Sequence, residues 1–193
     1  MNNIGTQEIR TERLLLRKIK KSDYKDVFRY ASREEVAKYL TWTAHKSIKD
    51  TKALCKMWAE EYKKDNIYRW AIVYNNTVIG TIDVMSLIKE SAFMGWCIDS
   101  LHWNKGIMTE AAAAVRDYLF GKVGIKQMLA NFITENAGSG KVMEKIGMKV
   151  VSCEEYAAAL EKTCEYEYNG MPISCKKLTK AQWEAAQKPN RTA

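Results

Sequence analysis

Hydrophobic and polar positions along the chain change period several times. "TERLLLRKI" (11–19) is a short apolar-centred run between polar flanks and predicts a strand with a buried middle. From residue 22 the spacing turns helical: Ser22 predicts an N-cap for "DYKDVFRYAS", and Ser32 with Glu35 has the spacing of a capping box. Ser47 predicts the cap of a further helix whose Leu54, Met57, Trp58 and Tyr62 fall on one core-facing side. "IYRWAIVY" (67–74), "TVIGTIDVM" (77–85) and "FMGWCIDS" (93–100) then read as three strands of an antiparallel meander, with Asn75-Asn76 as a tight turn. From Thr109, "TEAAAAVRDYLFGKVG" has high helix propensity and ends at glycines suited to a C-terminal cap, and "KQMLANFIT" (126–134) follows as a strand. Strand, loop, helix and strand over 93–134 predict a crossover between two parallel strands. "SGKVMEKIG" (139–147) predicts a short helix stopped by Gly147, while "MKVVSCEEYA" and "MPISCKKL" complete the strands. Asn169-Gly170 is a turn signal, and Pro172 belongs at a strand start or edge.

Organisation and composition narrow this picture. Without internal repeats, low-complexity segments or a Pro/Gly/Ser linker, the 193 residues, 47% of them hydrophobic, predict one domain with a core at about 10–180 and a tail at 181–193. No run approaches the roughly 18 apolar residues of a membrane span. "MNNIGTQEIRTERLLLRK" carries charges where a signal peptide would be apolar, so a cytoplasmic location is expected. Five widely spaced cysteines without a C-x-x-C pair predict reduced, mostly buried thiols and no metal site. The net charge of +8 favours an anionic partner such as a phosphate-bearing cofactor, an acidic protein or an RNA surface, and is equally compatible with a solvated basic face.

The stretch "LHWNKGIMTEA" (101–111) places Gly106 between a polar turn and the alanine-rich helix. A glycine permits close backbone approach, and the first turn of a helix offers free N–H groups and partial positive charge, which together make a pyrophosphate cradle. The pattern is neither a P-loop nor a dinucleotide fingerprint, and a purely structural turn is the alternative.

"HWNKGIMTEA" resembles the acetyl-CoA loop of the GNAT N-acetyltransferase superfamily, Gln/Arg-x-x-Gly-x-Gly/Ala, and is closest to the branch that acetylates ribosomal-protein N-termini. "GWCID" before the loop and "ENAGSGKVMEKIGMK" after it resemble two further segments of that branch, in the same order. Trp103 stands at the Gln/Arg position, Asn104 replaces a common glycine, and Met108 replaces a small residue and is expected to narrow the cradle. The resemblance implies an α/β (α+β) fold with a mixed, mostly antiparallel twisted sheet, flanking helices and a parallel strand pair splayed at the acetyl-CoA site. It also implies an acetyl-CoA co-substrate, no metal, and direct attack by a primary amine without an acyl-enzyme.

On the same resemblance, Ile98 and Ser100 hold the pantetheine arm through main-chain groups, with the Ile98 N–H as oxyanion donor. Trp103, Asn104, Lys105, Gly106, Ile107, Met108 and Thr109 form the pyrophosphate loop. Asn136 hydrogen-bonds the arm, and Ser139 is either the acid or thiolate stabiliser near the sulfur, or a cap of the following helix, the two roles being compatible. Asp83 is either the general base or an outward-facing strand residue. Glu110 serves the helix N-terminus electrostatically, His102 is either a base or, the simpler reading, a solvated loop histidine, and Cys97 lacks a partner base and is no nucleophile. The acceptor, contacted by 22–64 and the final strands, is a protein N-terminus or a small amine. The rival classes are a noncatalytic CoA-binding regulator and a basic RNA- or ribosome-binding protein, and the oligomeric state is monomer or homodimer.

Overall fold

In the computed structural model, which describes residues 1–187, the chain runs β1 (Ile9–Arg10), β2 (Leu15–Arg17), α1 (Tyr24–Ala31), α2 (Glu34–Ala37), α3 (Ile48–Glu61), β3 (Arg69–Tyr74), β4 (Thr77–Ile88) and β5 (Ser91–Ile98). It continues through α4 (Ile107–Tyr118), β6 (Gln127–Ile133), α5 (Ala137–Lys145), β7 (Lys149–Val151), α6 (Cys153–Ala159), β8 (Glu167–Tyr168), β9 (Met171–Thr179) and α7 (Lys180–Gln187). Two compact units result, an N-terminal one (3–84 and 95–115) and a C-terminal one (1–2, 85–94 and from 116 onward). No helix among the described residues is long and apolar enough to cross a membrane.

In the N-terminal unit the strand order is β1-β2-β3-β4-β5, with β1–β2, β2–β3 and β3–β4 antiparallel. Asn75 and Asn76 adopt φ of 46° and 61°, the left-handed pair that a two-residue hairpin turn requires. Ile19, Val27, Tyr30, Ala31, Cys55 and Ala71 form its buried core between helices and sheet. In the C-terminal unit the order is β5-β6-β9-β7, with β8 on β9. Here β5 and β6 pair in parallel from Ser91↔Gln127 to Phe93↔Leu129, and β6–β9 and β7–β9 are antiparallel. The fold is therefore the expected mixed, mostly antiparallel sheet with one parallel pair. Leu129, Tyr156, Leu160 and Cys175 form a core onto which Phe93 packs edge-on to Tyr156.

Several local expectations are corrected. Ser22 lies inside a 3-10 turn, and the carboxylate of Asp23 does the capping, accepting from the Lys20 N–H at 2.7 Å while paired with Arg17. Ser32 ends α1 rather than starting a helix, and Glu35 turns instead to Ser100. Ser47 does cap α3, accepting from the Lys49 N–H at 3.1 Å, but the inward stripe is Thr51, Cys55, Trp58 and Tyr62, and Met57 is 50% exposed. "MKVVSCEEYA" is strand only to Val151, because Ser152 caps α6 by accepting from the Glu155 N–H. Cys153 and Cys164 are joined as a disulfide, their Cα atoms 5.7 Å apart; Cys55, Cys97 and Cys175 remain free. Of the expected tail, 181–187 belongs to α7, whose Trp183 stacks on Phe120 at 5.4 Å, and 188–193 lies outside the described residues.

Candidate active site

The end of β5 is shaped by a bulge in its neighbour. The register between β3 and β4 shifts so that Ile72 faces Gly80 and Val73 faces Val78, leaving Ile79 as the extra residue. The Ile79 carbonyl accepts from the Asp99 N–H at 2.8 Å. A Cβ on Gly80 would lie 2.4 Å from the Cys97 carbonyl oxygen and 2.9 Å from the Ile98 Cα, so only glycine permits this approach. Because successive strand N–H groups alternate in direction, that of Ile98 faces away from β4. Its carbonyl is taken by the Trp103 indole N–H at 3.0 Å.

Asp99, 2% exposed, accepts from the Leu101 N–H and pairs with Arg33 at 3.4 Å. Arg33 also donates to the Ser100 hydroxyl, which in turn donates to Glu35 at 2.9 Å.

Beyond this anchor the loop bends through two left-handed residues, Asn104 (φ 58°) and Gly106 (φ 72°). Asparagine tolerates that region better than most non-glycine residues, which suits it to this bend. Helix α4 starts at Ile107, and the Glu110 N–H bonds back to the Gly106 carbonyl at 3.0 Å. The N–H groups of the first turn, Ile107 to Thr109, precede this bond and are free for an anion. The Met108 side chain is buried.

Glu110 does more than serve the helix dipole. It accepts from the Thr11 hydroxyl (2.5 Å), the Arg13 main-chain N–H (3.0 Å) and the Arg13 Nε (2.6 Å). Partial burial pushes its carboxyl up, but these donors outweigh that and hold it below the ordinary carboxylate value.

Asp83 is not simply outward-facing. It sits across from Arg69 in the β3–β4 register and pairs with it at 3.3 Å, while Arg69 also binds Glu61 and lies over the Trp58 ring. Burial raises the Asp83 carboxyl above its usual range against the pull of Arg69. Burial likewise raises the Cys97 thiol, which lies 3.3 Å from the Thr81 hydroxyl and is poorly suited to be a nucleophile. The ring of His102 packs edge-on against Tyr74, its Nδ1 is buried with no hydrogen-bond partner among the described residues, and burial lowers its pKa. The expectation of a solvated histidine is corrected.

In the C-terminal unit, Asn136 caps α5 by accepting from the Ser139 N–H at 3.2 Å. Ser139 is thus the third residue of the helix and not its cap, because Asn136 already occupies that position. Two features dock this end of α5: Gly140, where a Cβ would meet the Phe132 ring at 2.9 Å, and Lys176, 3% exposed, which donates to the Gly140 carbonyl (3.1 Å) and to Glu144 (2.8 Å). Gly80, Arg13, Arg33 and Lys176 were not singled out from sequence. Only Lys176 carried a local signal, since in "SCKKL" strand alternation must send one of two adjacent lysines inward. Among the described residues, no cluster of three or more His, Cys, Asp or Glu side chains is placed to hold a metal.

A GNAT acetyltransferase domain model matches residues 13–149. An uncharacterized N-acetyltransferase of Bacillus subtilis is 30% identical over 144 residues, covering 73% of this chain and 82% of the relative. A GNAT-family acetyltransferase structure from Bacillus anthracis aligns with a TM-score of 0.73 at 25% identity, over 91% of this chain and 99% of that one. The fold is shared with the ribosomal-protein-S5-alanine acetyltransferase of Vibrio fischeri, at TM-score 0.71 and 21% identity over 95% and 100% of the two chains. The mixed sheet with its parallel β5–β6 pair and flanking helices is the fold of these acetyltransferases. This chain belongs to the GNAT acetyltransferase family and is an N-acetyltransferase.

Proposed function

We propose that this chain, acting as one cytoplasmic domain, moves the acetyl group of acetyl-CoA to a primary amine by direct attack, the acceptor being a protein N-terminus or a small amine. The observation that carries this reading is the main-chain cradle at 104–109: left-handed φ at Asn104 and Gly106, then a helical first turn with free N–H groups. These amides take the pyrophosphate. Main-chain groups of Ile98 and Ser100 hold the pantetheine arm, and the Ile98 N–H, turned away from β4, is the oxyanion donor.

The amine nitrogen attacks the thioester carbon, the ammonium proton leaves to Asp83 directly or through water, and as the carbon–sulfur bond breaks the Ser139 hydroxyl either stabilises the thiolate with a hydrogen bond or passes it a proton that solvent water replaces on the serine. Asp83, raised by burial, is suited to accept a proton closer to neutrality than an ordinary aspartate. Asn136 contributes its amide N–H to the arm, its oxygen being used by the Ser139 N–H.

The shared fold with a protein whose name specifies a ribosomal-protein alanine substrate, and a net charge of +8, support an N-terminus on a ribosomal or acidic protein. Thiol release from acetyl-CoA, screened over amines, polyamines, aminoglycosides and N-terminal peptides, tests the reading, with Gly106→Val as the loop variant. Activity should rise with pH as the acceptor loses its proton, near pH 8 for an α-amine and near 10 for a lysine-like one. CoA binding without thiol release on any acceptor would favour a regulator, and salt-sensitive RNA affinity without CoA binding would favour an RNA-binding protein.

A further inference from the structure

Arg13 lies between β1 and β2, more than ninety residues before the cradle, yet its guanidinium rests against it. Glu110, on the first turn of α4, fixes the residue twice, through the main-chain N–H (3.0 Å) and through Nε (2.6 Å). Nη1 donates to the Lys105 carbonyl at 3.1 Å. That leaves Nη2, which has no hydrogen-bond partner among the described residues and lies 3.6 Å from where a Gly106 Cβ would stand.

An arginine whose only task was to brace Glu110 would present Nε and Nη2 together as a fork. Here the carboxylate takes Nε alone, and the second arm is left beside the bend. The side chain as a whole is 39% exposed. Arg13 and the exposed Lys105 place two cations beside the positive end of α4.

We infer that Arg13 is a phosphate ligand of the CoA cradle, pre-positioned by Glu110, an inference that rests on the acetyl-CoA reading above. Arg13 supplies a charged, directional donor, held in place, beside the main-chain N–H groups of the loop, and Glu110 is the positioning residue that removes its rotamer freedom before binding.

The test compares acetyl-CoA with S-acetylpantetheine, which carries the same thioester and arm but no phosphates. Arg13→Gln should lower the ratio of kcat/KM for the two substrates by about ten- to a hundredfold, the range for a hydrogen bond between charged groups. It should also weaken the salt dependence of CoA binding. A ratio held within twofold, or an equal loss on both substrates, would make Arg13 a brace only and overturn the inference. If Arg13→Gln does not fold, Arg13→Lys decides: the ratio should fall severalfold, and no fall overturns the inference. A wild type that binds no CoA by calorimetry defeats the acetyl-CoA reading as well, whereas CoA bound equally by wild type and Arg13→Gln defeats only this inference.

Discussion

In the N-terminal unit the segment from Ile98 to Glu110 is held by side chains reaching from other elements, Arg33 to Asp99 and Arg13 to Glu110, and by its own Trp103 indole on the Ile98 carbonyl. In the C-terminal unit the first turn of α5 is held by a cap within its own chain segment, by Gly140 against the Phe132 ring, and by a single buried cation, Lys176. The main-chain N–H groups that a loop presents to a ligand cannot also bond within it, so beside the turn that starts it charged side chains restrain it from outside. A helix satisfies its backbone internally and needs only a docking surface. Charge therefore concentrates around the loop and packing beneath the helix, and the two should fail differently.

The largest effect is expected at Arg33. Arg33→Ala leaves the Asp99 carboxylate buried without its cation and should cost about 2–3 kcal/mol in chemical denaturation, somewhat less than a fully buried pair because Arg33 is itself partly solvated. Adding Asp99→Asn should recover part of the loss. If Arg33→Ala is neutral, charge is not what restrains the segment.

Gly80→Ala comes next. It drives a Cβ into the Cys97 carbonyl and should cost about 1–3 kcal/mol, with CoA affinity falling as β5 shifts. A variant that melts normally and binds CoA normally would show that this close approach is not needed.

Ser139→Ala sharpens the other half of the comparison. With Asn136 as cap, melting temperature should hold while kcat falls about tenfold or more, and Asn136→Ala should lose about 1 kcal/mol of stability. A stability loss at Ser139 with full turnover would reverse these assignments.

The smallest effect is pH-dependent. Because the Glu110 carboxyl is held below its ordinary value, its contribution is present above that value and is lost as pH falls through the lowered one. Glu110→Gln should cost about 1 kcal/mol near neutrality and nothing in strong acid, read from melting curves across pH.

Much of the element order was legible because it depends on local periodicity. The parallel crossover from β5 to β6, the Asn75-Asn76 turn and the Gly147 stop each follow from a few adjacent residues. Expectations failed where two local signals compete within a few residues. Ser22 lost to Asp23, whose charge pairs with Arg17, and the strand reading of 148–157 overlooked Ser152 three residues before Glu155, the spacing of a helix start. In the site, Gly106 and Asn136 were readable as motif positions. Whether Ser139 is also the cap was not, because choosing between two capping side chains three residues apart requires the helix start itself.

The sequence by itself determined the order of strands and helices, the glycine-bent loop before an alanine-rich helix, and the family those motifs resemble, since all of these are written in neighbouring residues. Tertiary structure alone decided that Arg13 meets Glu110, that Arg33 neutralises Asp99, that Gly80 makes room for Cys97, and that Cys153 bonds Cys164. Each of these joins groups through space. A charge, a methyl-sized gap or a thiol has the same local signature whether its partner is present or absent, and only the packed chain brings the partner to it.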